Sequence, residues 1–161
     1  MKHLKWLWLS LLVIILDQAS KYWAEHVLQY EIIEILPIFD FSLAHNPGAA
    51  FGFLGGLGGV QHVFFISLAV LVSIVLVFMM VKKMKSHERH LAVAFSLIIG
   101  GAIGNAIDRV VYQYVVDFIH FFYRGWHYPH FNIADIAIFI GAALMISEAF
   151  DKPFLNSSES E

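Results

Sequence analysis

Two aspartates, Asp117 and Asp135, stand at either end of an aromatic loop, and each is flanked by residues that favour lipid. A carboxylate at or inside a bilayer is costly, so two of them bracketing one loop indicate a function. Carboxylates that share a site cannot both ionise cheaply, so near neutral pH one retains a proton while the other is charged. Such a pair can activate water against a peptide carbonyl by general acid–base catalysis. We therefore interpret Asp117 and Asp135 as a catalytic pair of the aspartic-hydrolase type.

The composition indicates the surroundings of this pair. Of the 161 residues, 59% are hydrophobic and only 14% are charged, which is too apolar for an ordinary soluble domain of this length. The net charge of -3 gives no footprint for nucleic acid. Since the chain contains no cysteine, it has no disulfide framework, no thiolate nucleophile and no cysteine-based metal site. We therefore expect an integral membrane protein with no nucleic-acid partner.

Four apolar runs have about the length needed to cross roughly 30 Å of hydrocarbon. They predict transmembrane helices over residues 4–24, 63–81, 91–109 and 133–150, within a single domain that comprises residues 1–161. The first run follows a basic N-terminus and so resembles a secretory signal, but no small-residue cleavage site follows it. Asp17, Gln18 and Lys21 follow instead, which favours an uncleaved span.

The segments between the spans differ in character. Residues 25–59 contain proline, glycine and short strand-like runs at 32–33, 35–36 and 39–43, which predict a folded outer loop. The polar tail over residues 151–161 is expected to be disordered. Positive residues lie at both termini and in the loop at 82–89, whereas the segment at 22–59 has none. By the positive-inside rule, both termini are predicted to be cytoplasmic.

This threading brings the polar side chains of the spans to one depth, at the outer membrane boundary. We call them the polar layer: Asp17, Asn46, Asn105, Asp108, Arg109, Asn132 and Asp135. Scattered polar residues would have no reason to share a level, so the polar layer indicates a site. Asn105, Asp108 and Arg109 share a helix face, and Arg109 can pair with Asp108 or brace another carboxylate. Gly100 and Gly104 form a Gly-x-x-x-Gly motif that permits close helix packing.

Several of these spacings also have simpler explanations. Asp17 and Lys21, four residues apart, can form a local ion pair that satisfies both. Asn132 and Asp135 can form a helix cap. Three histidines near Asp117 offer a metal site, although interfacial aromatic residues of a mobile loop explain them as well; they are His120, His127 and His130.

The chain resembles bacterial lipoprotein signal peptidase, signal peptidase II, along nearly its whole length. Five blocks carry the resemblance: residues 17–21 (Asp-Gln-Ala-Ser-Lys), 45–52 (His-Asn-Pro-Gly-Ala-Ala-Phe-Gly), 100–109 (Gly-Gly-Ala-Ile-Gly-Asn-Ala-Ile-Asp-Arg), 115–118 (Val-Val-Asp-Phe) and 131–135 (Phe-Asn-Ile-Ala-Asp). Their order makes the match specific. Ser20 stands at a position where threonine is also common, and Pro47 lies within the Asn-x-Gly-Ala-Ala block. Neither departure replaces a residue that the chemistry needs.

The resemblance implies a fold of four transmembrane helices with a small periplasmic β-sheet cradle and a short periplasmic helix. The cradle would be residues 25–59, and the short helix would lie within 111–131 as part of a flap over the site. It also implies that Asp117 and Asp135 form the catalytic dyad. The supporting and substrate-binding residues would be Asp17, Asn46, Asn105, Asp108, Arg109 and Asn132, without a metal or cofactor.

The resemblance further implies cleavage of diacylglyceryl-modified prolipoproteins just before the lipidated cysteine, at the periplasmic face of the inner membrane. Partners would be the prolipoprotein, membrane lipid and inhibitors of the globomycin type, and we expect a monomer. Nine aromatic residues are candidates for the lipid path: Phe39, Phe41, Phe51, Phe53, Phe121, Phe122, Tyr123, Trp126 and Tyr128.

Two other classes of function are compatible with some of these residues. A proton-coupled carrier would use the intramembrane carboxylates and Arg109 as relay groups, but carriers bind substrate at the midplane and not at one boundary. A purely structural membrane anchor would leave the polar layer without a cause. An intramembrane aspartic endopeptidase accounts for both the pair and its position.

Overall fold

The computed structural model describes residues 3–29, 31–48, 59–82, 84 and 88–155, with only the backbone at 149 and 151–155. Each of the four apolar runs lies in a long helix. The helices are α1 (Leu7–Val27, after a 3₁₀ turn at Leu4–Trp6), α2 (Val60–Lys82), α3 (Arg89–Val111) and α4 (Ile133–Leu155). Helix α4 continues into the segment expected to be a disordered tail. Residues 156–161, and the loop residues 49–58 with Phe51 and Phe53, lie outside the described part.

Large apolar side chains cover the outside of the helices. Leu11 of α1, Leu71 of α2 and Phe139 of α4 are 59%, 59% and 75% exposed. Within the described residues, α2 and α3 are long and apolar enough to cross a membrane, with mean hydropathies of 3.0 and 1.7. An apolar helix in the core of a soluble protein would have a similar length and hydropathy, but only 17% of the most apolar stretch of α2 is buried. Its exposed apolar surface is therefore suited to lipid. The two further spans, at α1 and α4, stay a prediction.

A four-stranded antiparallel sheet packs beside the C-terminal half of α1. Its order is β1 (Ile33–Leu36), β2 (Phe39–Asn46), β3 (Val115–Tyr123) and β4 (Trp126–His127). The strands predicted between residues 32 and 43 are confirmed as β1 and β2. The register of β2 and β3 sets Ala44 opposite Asp117 and Asn46 opposite Val115, so the two loops build the sheet together.

The prediction of a short helix within residues 111–131 is wrong. Beyond the last residue of α3, the described chain there forms the hairpin of β3 and β4. The residues are Val, Ile, Phe and Tyr for most of β3, and β-branched and aromatic side chains favour strands. The hairpin turns at Arg124 and Gly125, whose φ angles of 48° and 82° are those of a type I′ turn. The segment therefore extends the sheet.

Glycines allow three helices to approach closely below the sheet. A Cβ at Gly100 would lie 2.8 Å from Val13 Cβ, and one at Gly104 would lie 2.6 Å from Asp17 Oδ2, both on α1. A Cβ at Gly101 would collide with the carbonyl oxygen of Ala134 on α4. The close packing predicted from Gly100 and Gly104 is thus confirmed. It brings the polar side chains of α1, α3 and α4 together.

Candidate active site

Asp117 lies near the start of β3, where apolar residues bury it. Its neighbours Val116 and Phe118 pack with Ala24 of α1 and with Leu28 just after that helix, and Asp117 itself is only 2% exposed. Asn132 donates from Nδ2 to Asp117 Oδ1 at 2.6 Å, and Asn46 donates from Nδ2 to Oδ2 at 3.0 Å. Burial first, and then the negative charge of Asp135, raise the pKa of Asp117 to about 7. This carboxyl group can therefore hold a proton at neutral pH.

Asp135 lies in the first turn of α4 and is half-buried. Asn105 donates from Nδ2 to Asp135 Oδ1 at 2.8 Å. The backbone nitrogen of Asn132 donates to Asp135 Oδ2 at 3.2 Å, and the backbone nitrogen of Asp135 donates to Asn132 Oδ1 at 3.0 Å. This reciprocal pair is a capping box. The predicted helix cap is therefore present. It uses only Oδ2 of Asp135, so Oδ1 remains to accept the hydrogen bond from Asn105.

Asn132 and Asn105 connect the two aspartates. Asn132, which is fully buried, contacts Asp117 through its side chain and Asp135 through its backbone. Its Nδ2 also lies 3.2 Å from Asn105 Oδ1, and Asn105 in turn donates to Asp135. Because the side-chain amides of Asn132 and Asn105 donate hydrogen bonds to the carboxylates of Asp117 and Asp135, they fix the orientation of these two aspartates. They leave the charge of the pair unneutralised.

A buried ionic cluster of side chains from α1 and α3 supports the arrangement of the two asparagines and the two aspartates. Lys21 Nζ lies 2.8 Å from Asp17 Oδ2, 2.9 Å from Asp108 Oδ2 and 2.9 Å from Asn105 Oδ1. Asp17 Oδ1 accepts from the backbone nitrogen of Ala134 at 2.9 Å, and Asp108 Oδ2 accepts from that of Val116 at 3.1 Å. The cluster therefore fixes the start of α4 and the start of β3.

The local ion pair between Asp17 and Lys21 exists, but it is only part of this cluster. The sequence alone did not predict Lys21 or Gln18 as site residues. Gln18 donates from Nε2 to Asp108 Oδ1 at 2.8 Å and also reaches Gly104 O at 3.2 Å. The available signal was the block Asp-Gln-Ala-Ser-Lys, in which positions 17, 18 and 21 fall on one helix face.

Arg109 differs from the expectation. It forms no ion pair within the described residues, and Asp108 pairs with Lys21 instead. The Arg109 guanidinium lies over the ring of Phe65 on α2, 4.7 Å from its centroid, and donates from Nη1 to the backbone oxygen of Asn105 at 3.2 Å. Its charge still lies within electrostatic reach of Asp135 and Asp117. Arg109 therefore contributes a positive field without a direct contact.

The three histidines His120, His127 and His130 contact one another and side chains of β2. His120 and His130 stack with centroids 4.2 Å apart, and His120 Nδ1 lies 3.1 Å from Asp40 Oδ1. His127 Nδ1 lies 3.1 Å from His120 Nε2, and His130 Nε2 lies 2.9 Å from Ser42 Oγ. Within the described residues, no group of three or more histidine, aspartate or glutamate side chains has a geometry that would hold a metal ion. The alternative of a metal site beside Asp117 has no support in this arrangement.

A cavity of about 560 Å³ opens beside Asp135. Apart from Asp135, its lining is apolar or aromatic: Phe121, Trp126, Tyr128, Phe131, Ile136 and Phe139. Of the nine candidates for the lipid path, Phe121, Trp126 and Tyr128 line this cavity. Phe39 and Phe41 instead pack against each other in the sheet, with centroids 5.0 Å apart. Asp135 therefore faces a large apolar space on one side.

Comparison with known proteins identifies the family. The profile of the family described as "Signal peptidase (SPase) II" matches residues 9–151. The chain belongs to this family. The lipoprotein signal peptidase of Alteromonas mediterranea is 47% identical over 157 residues, which are 97% of this chain and 86% of that protein. That of Yersinia enterocolitica is 47% identical over 151 residues, 93% and 89% of the two chains.

Two solved structures, both described as a bacterial membrane enzyme studied by the in meso method, have the same fold. They are 33% identical to the chain, with TM-scores of 0.81 and 0.79. The matches cover 92% and 98% of this chain, and 94% and 93% of the other chains. The chain is therefore a membrane enzyme and an aspartic peptidase of the signal peptidase II family. The resemblance predicted from the five blocks is confirmed.

Proposed function

We propose that this protein removes signal peptides from diacylglyceryl-modified prolipoproteins, cleaving before the lipidated cysteine with a water activated by Asp117 and Asp135. The observation that carries the proposal is Asn132, which contacts both Asp117 and Asp135 and so links them, while Asp135 lines an aromatic cavity. The supporting residues are Asp17, Asn46, Asn105, Asp108, Arg109 and Asn132. Of these, Asn46, Asn105 and Asn132 contact the pair, while Asp17 and Asp108 hold Lys21.

The pKa of Asp117 supports an assignment of the two roles. With a pKa of about 7, raised by burial and by the charge of Asp135, Asp117 is the member that carries the proton. It donates this proton to the peptide carbonyl oxygen while ionised Asp135 takes a proton from the attacking water. The water oxygen bonds to the carbonyl carbon. As the C–N bond breaks, Asp135 returns its proton to the leaving nitrogen and Asp117 regains its own from the hydroxyl.

The cavity beside Asp135 supports a lipid-modified substrate. Its walls are almost wholly apolar, although the aspartate pair needs a polar peptide bond at its mouth. A substrate whose acyl chains lie in the membrane and whose scissile bond lies at the boundary meets both requirements. Anchoring in the membrane also reduces the entropic cost of positioning the peptide.

We place the enzyme in the bacterial inner membrane as a monomer with four spans and cytoplasmic termini. Supporting this placement, the helical residues of the polar layer lie at the middle of α1, toward the C-terminal end of α3 and at the N-terminal end of α4, and the positive-inside rule sets these helix ends outside. The sheet then lies on the periplasmic side as a cradle, with the hairpin of β3 and β4 beside the cavity. A cyclic peptide inhibitor of the globomycin type would occupy the aspartate pair.

The test is cleavage of a diacylglyceryl-modified peptide by purified protein in detergent. Asp117→Asn and Asp135→Asn keep size and shape but each removes a group that must exchange protons, so we expect each to lower the rate by at least about a hundredfold. Asp40→Asn, on β2 and away from the pair, is the matched control and should retain cleavage. Comparable cleavage by either dyad variant and by Asp40→Asn would remove the proposed dyad.

A further inference from the structure

A second cavity, of about 420 Å³, lies at the C-terminal ends of α1 and α3 and shares no lining residue with the cavity beside Asp135. Helix α1 contributes the ring pair Tyr22 and His26, with centroids 4.0 Å apart. The segment after α3 contributes Tyr112 and Tyr114, which stack at 5.6 Å. Its volume is in the range of small-molecule sites, and aromatic rings form much of its lining.

The carboxylate of Glu25 also lines this cavity. Its Oε1 lies 2.8 Å from His45 Nε2 and accepts from the Tyr114 hydroxyl at 3.4 Å. Its side chain is 25% exposed, so it remains accessible from the cavity. Burial, and after it the charge of Glu25, raise the pKa of the Tyr114 hydroxyl, as expected beside a negative charge.

The charges around the cavity do not balance. Lys21 lines it, but its ammonium already pairs with Asp17 and Asp108. Of the groups that line the cavity, two carboxylates, Glu25 and Asp108, therefore face one ammonium, and Asp17 lies buried behind the lining. The excess negative charge and the ring faces together form an environment that attracts a cation with apolar substituents.

We propose that this cavity binds an organic ammonium group, held by the charge of Glu25 and the rings of Tyr22, Tyr112 and Tyr114. At the membrane boundary, the abundant source of this chemistry is the headgroup of an ethanolamine phospholipid; a small soluble amine is the other source. The binding does not depend on the peptidase reaction, although the placement at the boundary rests on the proposed orientation. The site would hold an annular lipid apart from the cavity beside Asp135, with which it shares no lining residue.

The first experiment compares lipid binding by the full-length chain in detergent. Native mass spectrometry would measure adducts with phosphatidylethanolamine and, at equal concentration, phosphatidylglycerol of the same acyl chains. We expect wild type to prefer phosphatidylethanolamine, and Glu25→Gln to bind it about tenfold more weakly. Glu34→Gln, on the exposed face of β1, removes the same charge elsewhere and should bind as wild type does.

Two further measurements separate the sources and guard against misfolding. Tyr112→Leu should weaken binding while Tyr112→Phe retains it, since Tyr112 is 49% exposed and its ring face is the proposed contact. Thermal stabilisation by ethanolamine chloride, relative to sodium chloride, tests a soluble amine. Stabilisation that requires Glu25, without lipid preference, would assign the site to a soluble amine. Equal behaviour of Glu25→Gln, Tyr112→Leu and Glu34→Gln toward both probes would overturn the proposal.

Discussion

Lys21 is the residue on which the buried part of the site depends most. Its ammonium is the common partner of Asp17 and Asp108, and it is only 3% exposed. Lys21→Met would leave two buried carboxylates without a counter-charge. We expect a loss of about 3–5 kcal/mol in stability, or a Tm lower by about 10 °C, because breaking a buried pair leaves an uncompensated charge.

Thermal denaturation in detergent would measure this loss. Lys82→Met, at the exposed end of α2, is the matched control and should change stability by less than about 0.5 kcal/mol. If both variants melt at the wild-type temperature, the cluster does not contribute to stability.

The pH profile of cleavage reports the proton on Asp117. If the protonated form is required, the rate falls as pH rises above the pKa of about 7, by about tenfold per unit well above it. The hydrogen bond from Asn46 favours the ionised form and so lowers this pKa. Asn46→Leu should therefore move the alkaline limb to higher pH, by about one unit. Rates measured over pH 5–10 would show it; an unmoved limb would mean that Asp117 does not control it.

Packing between elements is as important as the polar contacts. Gly104 sits where α3 meets α1, and an added Cβ would lie 2.6 Å from Asp17 Oδ2. That oxygen cannot easily move, because Lys21 holds it at 2.8 Å and Ala134 holds its partner oxygen at 2.9 Å. Gly104→Ala should therefore cost about 1–3 kcal/mol, although glycine to alanine ordinarily stabilises a helix by about 1 kcal/mol.

The control for Gly104→Ala is Ala106→Gly on the same helix. It removes a methyl group from a partly exposed position and should cost about 1 kcal/mol from helix propensity alone. Both would be measured as Tm in detergent. A Gly104→Ala protein as stable as wild type would show that α1 can withdraw from α3 without cost.

Across the whole molecule, the sequence predicted those features that depend on residues close together in the chain. Apolar runs of sufficient length predicted four helices, and the five blocks predicted the family. The hairpin of β3 and β4 was missed because a short helix was expected there from the resemblance, although the β-branched and aromatic residues of β3 favour a strand. Its pairing with β2 joins residues about seventy positions apart, such as Ala44 and Asp117, and has no local signal in the sequence. The contacts of Arg109 were not predictable either: helix spacing allows it to pair with Asp108, but in the tertiary structure Asp108 pairs with Lys21 and Arg109 lies over Phe65.

The orientation of the chain in the membrane can be tested with introduced cysteines, since the chain has none of its own. Glu34→Cys lies on an exposed position of β1, and Lys82→Cys lies at the exposed end of α2, next to the basic loop. With that loop cytoplasmic, a membrane-impermeant maleimide should label Glu34→Cys in intact spheroplasts but Lys82→Cys only after lysis. Labelling of Lys82→Cys before lysis, with Glu34→Cys protected, would show that the chain has the opposite orientation in the membrane. The polar layer and the aspartate pair would then face the cytoplasm, where a substrate anchored in the outer leaflet could not reach them.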